Sequence, residues 1–449
     1  MVYENFKKYV TMCSGEIMKV FFHTLGCKVN QYETQEMREQ LTKNGYEITE
    51  DESTANIFVI NSCTVTSESD RKTRQCVRHY KKKYPDSTVV LTGCMPQSFP
   101  EMAEKLVEAD IVLGNKNNKL LVSSLNEYLS NSCRTLHMEQ HQSGEALASS
   151  GISKFEERTR AILKIEDGCD NYCSYCTIPY ARGHVRSRKK EDVISEIQAL
   201  TDSGIKEIVL AGINTGHYGK DLSDYDFSDL LDEICLKVNN LGKLRISSIE
   251  MTEITDKLLN VLKKHEKHFC NHLHIPLQGG CDNTLKRMHR KYNTDEYYNK
   301  INLIRSYFND INITTDVMTG FSGETIDDFN DSLNFIESIG YGEMHVFPYS
   351  RRPRTVAYHY DDIVDPIEKK RRVSLLLELN KKQAIKYRSL FLNKELEVLI
   401  EKEKNGYLYG HTSNYLEVVF KNKNNIKVNE YCKVLITDVD YPICKGEMI

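Results

Sequence analysis

The stretch DGCDNYCSYCTIPYARG, residues 167–183, sets Cys169, Cys173 and Cys176 within eight residues and offers no fourth cysteine. Thiolates are soft ligands that suit zinc or iron-sulfur clusters. A structural zinc ion wants a closed tetrahedron of four ligands, and His184 is the nearby residue that could complete one. Zinc sites usually pair their cysteines on two hairpins, and no second hairpin follows here. An iron-sulfur cluster held by three thiolates keeps one iron open. The Cys-x3-Cys-x2-Cys spacing therefore points to a cluster whose free position takes a substrate or cofactor. Three further cysteines share a context of their own. Cys27, Cys63 and Cys94 end LGC, NSC and TGC, each directly after an apolar run. Cys13, Cys76, Cys133, Cys235, Cys270, Cys281, Cys432 and Cys444 have no recurring context and read as structural.

These positions require elements that deliver them to common edges. KVFFHTLGC, NIFVINSC, STVVLTGC and DIVLG alternate with amphipathic helical stretches, the pattern of a doubly wound parallel sheet over residues 18–137. The carboxyl ends of parallel strands lie along one edge, so Cys27, Cys63 and Cys94 should meet there despite their separation in sequence. Residues 138–157, rich in Ser, Glu and Gly, read as a linker. Over residues 158–382 a second alternation gives AILKIEDGC, EIVLAGI, KLRISSIE, HLHIPLQ, NITTDVMTG and EMHVFPYS, six βα units of an incomplete TIM-like barrel. Its strand ends carry Gly212, Asn214, Ser247, Ser248, Glu250 and Gln278, the positions from which such barrels build their sites. His272 and His274 alternate on one strand and read as hydrogen-bonded core residues. Residues 383–449 carry short alternating strands, the pattern of a small β-barrel, and residues 1–17 read as an extension that does not join the first sheet. The fold class is α/β with a β-barrel tail.

A 449-residue chain can bury about three domain cores. Its opening residues lack a continuous apolar run, no stretch reaches the length of a membrane span, and the cysteines are thinly spread, so a reducing, cytoplasmic setting is expected. A net charge of -4 argues against a uniformly basic nucleic-acid binder. Basic patches nonetheless occur at residues 81–83, 351–354 and 369–372, where a solvated face is the ordinary reading.

DGCDNYCSYCTIPYARG, with Tyr175 between its last two cysteines, resembles the radical S-adenosylmethionine signature. With TLGCKVNQYET, INSCTVT, LTGCMPQ, LAGINTGHYG, RISSIEM, HIPLQGGCDNTLKRMHRKY, TDVMTGFSGET and FPYSRRPRT it resembles the methylthiotransferases of that superfamily, and the tail resembles their RNA-binding TRAM module. Gly279 departs from the pattern, standing where many members carry Ser.

The resemblance implies two 4Fe-4S clusters, an auxiliary one on Cys27, Cys63 and Cys94 and a radical-generating one on Cys169, Cys173 and Cys176. It also implies S-adenosylmethionine as cofactor, with Tyr175, Gly212, Asn214, Ser247, Glu250 and Gln278 around it. An electron donor such as flavodoxin or ferredoxin, a tRNA substrate and no membrane complete the expectation. GCKVNQYET is similar to the branch that acts on N6-threonylcarbamoyladenosine next to the anticodon. Lys28 and Asn30 lie beside Cys27, and an ammonium suits the carboxylate of that nucleoside. HTSNYLEVVF, with Lys381, Lys382, Lys386 and Arg388, is expected to grip phosphates. The competing readings are a methylthiotransferase acting on isopentenyladenosine tRNA or on a ribosomal protein, and a non-catalytic RNA-binding protein that holds zinc.

Overall fold

A computed structural model describes residues 17–147, 149, 151–152 and 159–449. Apart from Ile17, the extension expected at the start of the chain lies outside the described residues, as do residues 148, 150 and 153–157 of the expected linker. The first sheet contains β1 (Lys19–Thr24), β2 (Glu47–Ile48), β3 (Ile57–Ser62), β4 (Thr88–Gly93), β5 (Ile111–Leu113) and β6 (Thr135–His137), in the order β2-β1-β3-β4-β5-β6. Every pairing is parallel. IFVINS and TVVLTG are buried along their whole length, as unbroken apolar strands covered on both faces must be. Alternation assigns the faces: Ile57, Val59 and Val90 enter one core, whereas Phe58, Ile60, Val89 and Leu91 enter the other.

The second unit is a row of parallel strands: β7 (Arg160–Lys164), the short antiparallel pair β8 (Glu166–Asp167) and β9 (Arg186–Ser187) above it, then β10 (Glu207–Ala211), β11 (Lys243–Ile246), β12 (His272–His274), β13 (Asn312–Thr319) and β14 (Glu343–Pro348). Ladders give β11-β10-β7 and β12-β13-β14, and the parallel bridges Leu244↔Phe269 and Ser248↔His274 join the two halves. Six parallel strands thus form an incomplete barrel, with no ladder among the described residues joining β14 to β7. The helix Lys28–Lys43 of the first unit packs on β7. Its Tyr32 is fully buried in the barrel's core and its hydroxyl donates to Glu196 at 3.0 Å.

The helix Pro366–Ser389 starts with Pro366 at its first turn and an Asp365 cap that accepts from Ile367 and Glu368 amides, and it runs unbroken through residues 382 and 383. It leads to β15 (Glu395–Lys404), β16 (Tyr407–Thr412), β17 (Glu417–Lys421), β18 (Tyr431–Asp438) and β19 (Cys444–Met448), a closed barrel in the order β15-β16-β17-β19-β18. Its core is Val398, Ile400, Leu408, Val418, Val434 and their neighbours, the inward half of each alternating strand.

The polar segment after β6 carries specific contacts. His141 bonds Asn115 at 3.0 Å, Glu145 bonds Arg186 at 2.5 Å, and the Ile152 amide donates to Glu196 at 3.0 Å.

Candidate active site

The strand order of the first sheet reverses between β1 and β3, and a crevice at such a point is where open α/β sheets bind ligands. Cys27, Cys63 and Cys94 follow β1, β3 and β4 at this edge. Cys27 caps the helix Lys28–Lys43, and Cys94 begins the helix Cys94–Ser98. Gly26 is in positive φ (+142°), and a Cβ there would stand 2.4 Å from Asn30 Oδ1 and 3.2 Å from Cys63 Cβ. Glycine is therefore what lets the first and second cysteine loops approach. Asn30 ties the set together. Its Oδ1 accepts from the Cys27 amide and thiol at 3.3 Å each, and its Nδ2 donates to Asn61 Oδ1 at 3.1 Å and Ser62 O at 3.3 Å. Asn30 is fully buried and ties the cysteine loops together, whereas Lys28 beside it stays exposed.

A buried charge network joins this edge to the second one. Arg182, at the end of the short helix Ile178–Arg182, donates to Cys94 Sγ at 3.2 Å, to Glu33 and to Asp167 at 3.3 Å. Lys164 on β7 adds bonds of 2.9 Å to Glu33 and 3.2 Å to Asp167. Burial works to raise the Glu33 carboxyl, but Arg182 and Lys164 outweigh it and hold it below the ordinary carboxylate range. Nothing in composition or spacing singles out Glu33 or Lys164. Arg182 belongs to the cysteine stretch itself, and that proximity was the available signal.

The loop with Cys169, Cys173 and Cys176 follows β7 and β8. A Cβ on Gly168 (φ +90°) would stand 1.9 Å from the His184 carbonyl, so the loop can only pack against the segment before β9 with glycine there. Arg290 reaches Cys173 Sγ at 3.4 Å and Tyr175 Oη at 3.5 Å, and forms an ion pair with Glu250. The Glu250 amide donates to Asn214 Oδ1 at 3.2 Å. Tyr175, Asn214 and Glu250, expected from three separate loops, are thus brought together, with Arg290 as the unforeseen hub. Gly212 leaves room for Glu166, since a Cβ there would lie 2.3 Å from Glu166 Oε2. Burial, then Asp167, raises the Glu166 carboxyl well above its ordinary value.

The donor sets fit clusters. Burial pushes the Cys94 and Cys176 thiols up to about 12, and raises Cys63 and Cys169 as well, so these sulfurs gain from a metal that replaces the proton. Four sulfurs on one zinc ion, with Zn–S near 2.3 Å, would stand about 3.8 Å apart. Among the described residues neither triplet has all its sulfurs within 4.8 Å, so neither is set around a single ion. His184 Nδ1 is moreover engaged by Asp170 at 2.6 Å. Asn214 Nδ2 and Glu166 Oε1 are buried without a hydrogen-bond partner, as polar groups that await a polar cofactor would be.

A cavity of about 1180 Å³ occupies the barrel interior and reaches Cys27, Lys28, Gly212, Ser247 and Ser248 at one end and Arg160, His411 and Tyr415 at the other. Gln278 is outside its lining; this residue has φ +68°, and its backbone pairs with Asp316 and Met318 at 2.9 and 2.8 Å. His272 and His274 each bond Thr314 Oγ1 at 2.9 Å, as expected of core histidines, although both also line the cavity. Of the residues expected to grip phosphates, Lys381, Lys382 and Lys386 are exposed, Lys382 pairing with Glu337 at 2.7 Å, whereas Arg388 is buried and bonded to Glu343 at 3.1 Å. Residues 412–415 turn toward β11, β12 and β13: Arg245 donates to the Ser413 and Thr412 carbonyls at 3.2 and 3.3 Å, and Tyr415 stacks between His272 and His411 with centroids 4.9 Å away on each side. Each of two basic patches sends one arginine inward, Arg352 to Asp70 at 2.5 Å and Arg372 to Glu324 at 2.7 Å, while Arg354, Lys370 and Arg371 stay exposed.

Residues 19–114 match the model of the uncharacterized protein family UPF0004, and residues 163–336 match the Radical SAM superfamily. The chain is 39% identical over 96% of itself and 96% of the threonylcarbamoyladenosine tRNA methylthiotransferase MtaB of Bacillus subtilis. It is 31% identical to the tRNA-2-methylthio-N(6)-dimethylallyladenosine synthase of Thermoanaerobacter sp. (strain X514), over 97% of this chain and 93% of that one. The chain belongs to the radical S-adenosylmethionine methylthiotransferase family. Membership brings S-adenosylmethionine and a 4Fe-4S cluster as cofactors. Among solved structures, the radical S-adenosylmethionine methyltransferase TsrM of Kitasatospora setae shares the fold, with a TM-score of 0.54 over 76% of this chain and 73% of that one at 14% identity. No described helix is long and apolar enough to cross a membrane.

Proposed function

We propose that this member of the family is a tRNA methylthiotransferase that converts N6-threonylcarbamoyladenosine to its 2-methylthio derivative. The observation that carries the substrate is the near full-length likeness, at 39% identity, to a relative named for that nucleoside. In this reading Cys169, Cys173 and Cys176 hold the radical-generating 4Fe-4S cluster, and Cys27, Cys63 and Cys94 hold an auxiliary one. When bound, S-adenosylmethionine supplies the methyl group and, after reductive cleavage, a 5′-deoxyadenosyl radical able to take hydrogen from an aromatic C–H bond.

The chain's own residues bind and orient. Arg290 fixes Tyr175 and Glu250 beside Cys173, while the unpaired amide of Asn214 offers a donor to the cofactor. Gly212, Ser247 and Lys28 line the cavity that would receive the base, and Lys28 has no ion-pair partner among the described residues. Gln278, through its backbone, supports this rim from outside the cavity. Electrons come from a small donor such as flavodoxin or ferredoxin.

Mass spectrometry of tRNA nucleosides, with and without the gene, tests reaction and substrate together. Purified, reconstituted enzyme should form 2-methylthio product on threonylcarbamoyladenosine tRNA and none on tRNA bearing only isopentenyladenosine or on ribosomal protein. Preferential thiolation of either of those would refute the assignment.

A further inference from the structure

Below the strand ends the cavity wall carries a chain of hydrogen bonds that the cluster sites do not use. It runs from His272 through Thr314 Oγ1 to His274 Nδ1, each step 2.9 Å. His274 Nε2 then meets Asp316 Oδ1 at 3.4 Å, and His345 Nδ1 meets the same oxygen at 3.1 Å. No local pattern pairs Asp316 with His345, because β13 and β14 bring them into register only in the barrel. One carboxylate oxygen thus serves two imidazoles. His345 is exposed on the cavity side, and its Nε2 makes no hydrogen bond among the described residues. Asp316 raises the pKa of His345, burial opposes this, Glu343 acts with Asp316, and Lys28 lowers it.

Lys28 and His345 line the same cavity, and the Lys28 ammonium acts to lower the His345 pKa. The acids near them are already engaged: Asp316 by two imidazoles, and Glu343 by Arg388 at 3.1 Å. This face of the cavity lacks an anion. A divalent ion is the less suitable complement, even though ligand atoms of His274, Asp316 and His345 lie within 4.8 Å of one another. It would require neutral imidazoles and would face the Lys28 ammonium. A carboxylate is satisfied by both cations.

Geometry fixes which part of a substrate reaches this point. Cys27, Gly212 and Ser247 mark the rim, whereas His345 is the third residue of β14, three residues before its end at Pro348, or about 10 Å down at roughly 3.3 Å per residue. A purine that presents C2 to the clusters therefore sends its N6 substituent downward. We propose that His345, anchored by Asp316, and Lys28 form the subsite that receives the carboxylate at the end of the substrate's N6 substituent and so select for it. This rests on the function proposed above. Asp316 is a positioning residue here, with His274 facing it from β12.

The test uses reconstituted holoenzyme and two anticodon stem-loop RNAs, one with threonylcarbamoyladenosine and one with its carboxylate replaced by carboxamide. Wild type should bind the carboxylate RNA about tenfold more tightly, a preference typical of a charge-assisted contact. His345→Gln and Lys28→Gln should each remove most of that preference, read as the ratio of the two affinities within the same variant. Wild-type preference should also fall as pH rises through the His345 pKa, and Asp316→Asn should move that fall to lower pH. A His345→Gln enzyme with the wild-type preference would overturn the proposal, as would equal wild-type binding of the two RNAs. Stoichiometric divalent metal lost in His345→Gln while the preference persists would overturn it in favour of a metal site. Wild-type enzyme that thiolates isopentenyladenosine RNA but not the carboxylate RNA would instead sink the substrate reading itself.

Discussion

At the residue scale, the two cysteine triplets differ in what surrounds them, and the difference separates their expected losses. Cys173 touches Arg290, which also holds Tyr175 and Glu250, whereas Cys94 touches Arg182 in the network between the first sheet and the barrel. Cys173→Ala should remove one cluster, read as about half of the reconstituted iron, and abolish formation of 5′-deoxyadenosine. Cys63→Ala should keep that cleavage and stop thiolation. Full sulfur transfer by the Cys63 variant would refute the auxiliary assignment. Arg182 carries a second expectation. It is fully buried against Glu33 and Asp167, so Arg182→Gln leaves two buried carboxylates with Lys164 as their main remaining cation. Losing one partner of such a set costs about 3–5 kcal/mol, which should appear as a clear drop in melting temperature. An unchanged melting temperature would mean that the network does not hold the two units together.

Elements explain why some sequence features carry less function than their composition suggests. The loop between β16 and β17 reads as polar and RNA-facing, yet Arg245 on β11 takes its carbonyls while bonding Glu207 at 2.6 Å. Burial works to raise the Glu207 carboxyl, and Arg245 outweighs it, so the folded pKa lies below the ordinary value. Such a group contributes stability in full above the unfolded carboxylate pKa, near 4.3, and loses it as pH falls through the lower folded value. Arg245→Met should move the Glu207 pKa upward, because only Arg160 and Cys270 then oppose burial. Melting temperature measured from about pH 7 down to about pH 4 should show the variant less stable throughout, with the deficit shrinking as Glu207 becomes protonated. A deficit that stays constant across this range would show that the pair does not carry the interface.

At the scale of the whole molecule, the terminal barrel closes one end of the cavity as well as extending the chain. Tyr415 and His411 line that cavity, and Asn312 on β13 donates to the Asn414 carbonyl at 2.8 Å. Removing residues 390–449 should therefore lower the melting temperature of the remaining protein and not only its affinity for tRNA. If the shortened chain melts like the full one, the barrel is a separable RNA-binding appendage. The parts of this protein that follow from local pattern were legible without coordinates. Unbroken apolar runs gave the parallel strands, strand-end cysteines gave the two triplets, and alternation gave the closing barrel, because each depends on periods of a few residues and on where parallel strands must end. The burial of Asn30 and Arg388 and the inward contacts of residues 412–415 do not follow from type and position, since whether a polar side chain faces solvent or a neighbouring unit depends on packing between segments far apart in sequence. Arg182 with Cys94, Arg290 with Cys173, and His345 with Asp316 were decided only by the tertiary structure. Each pairing joins residues whose separation of 29 to 117 positions no local period encodes, and burial alone makes their charges strong enough to matter.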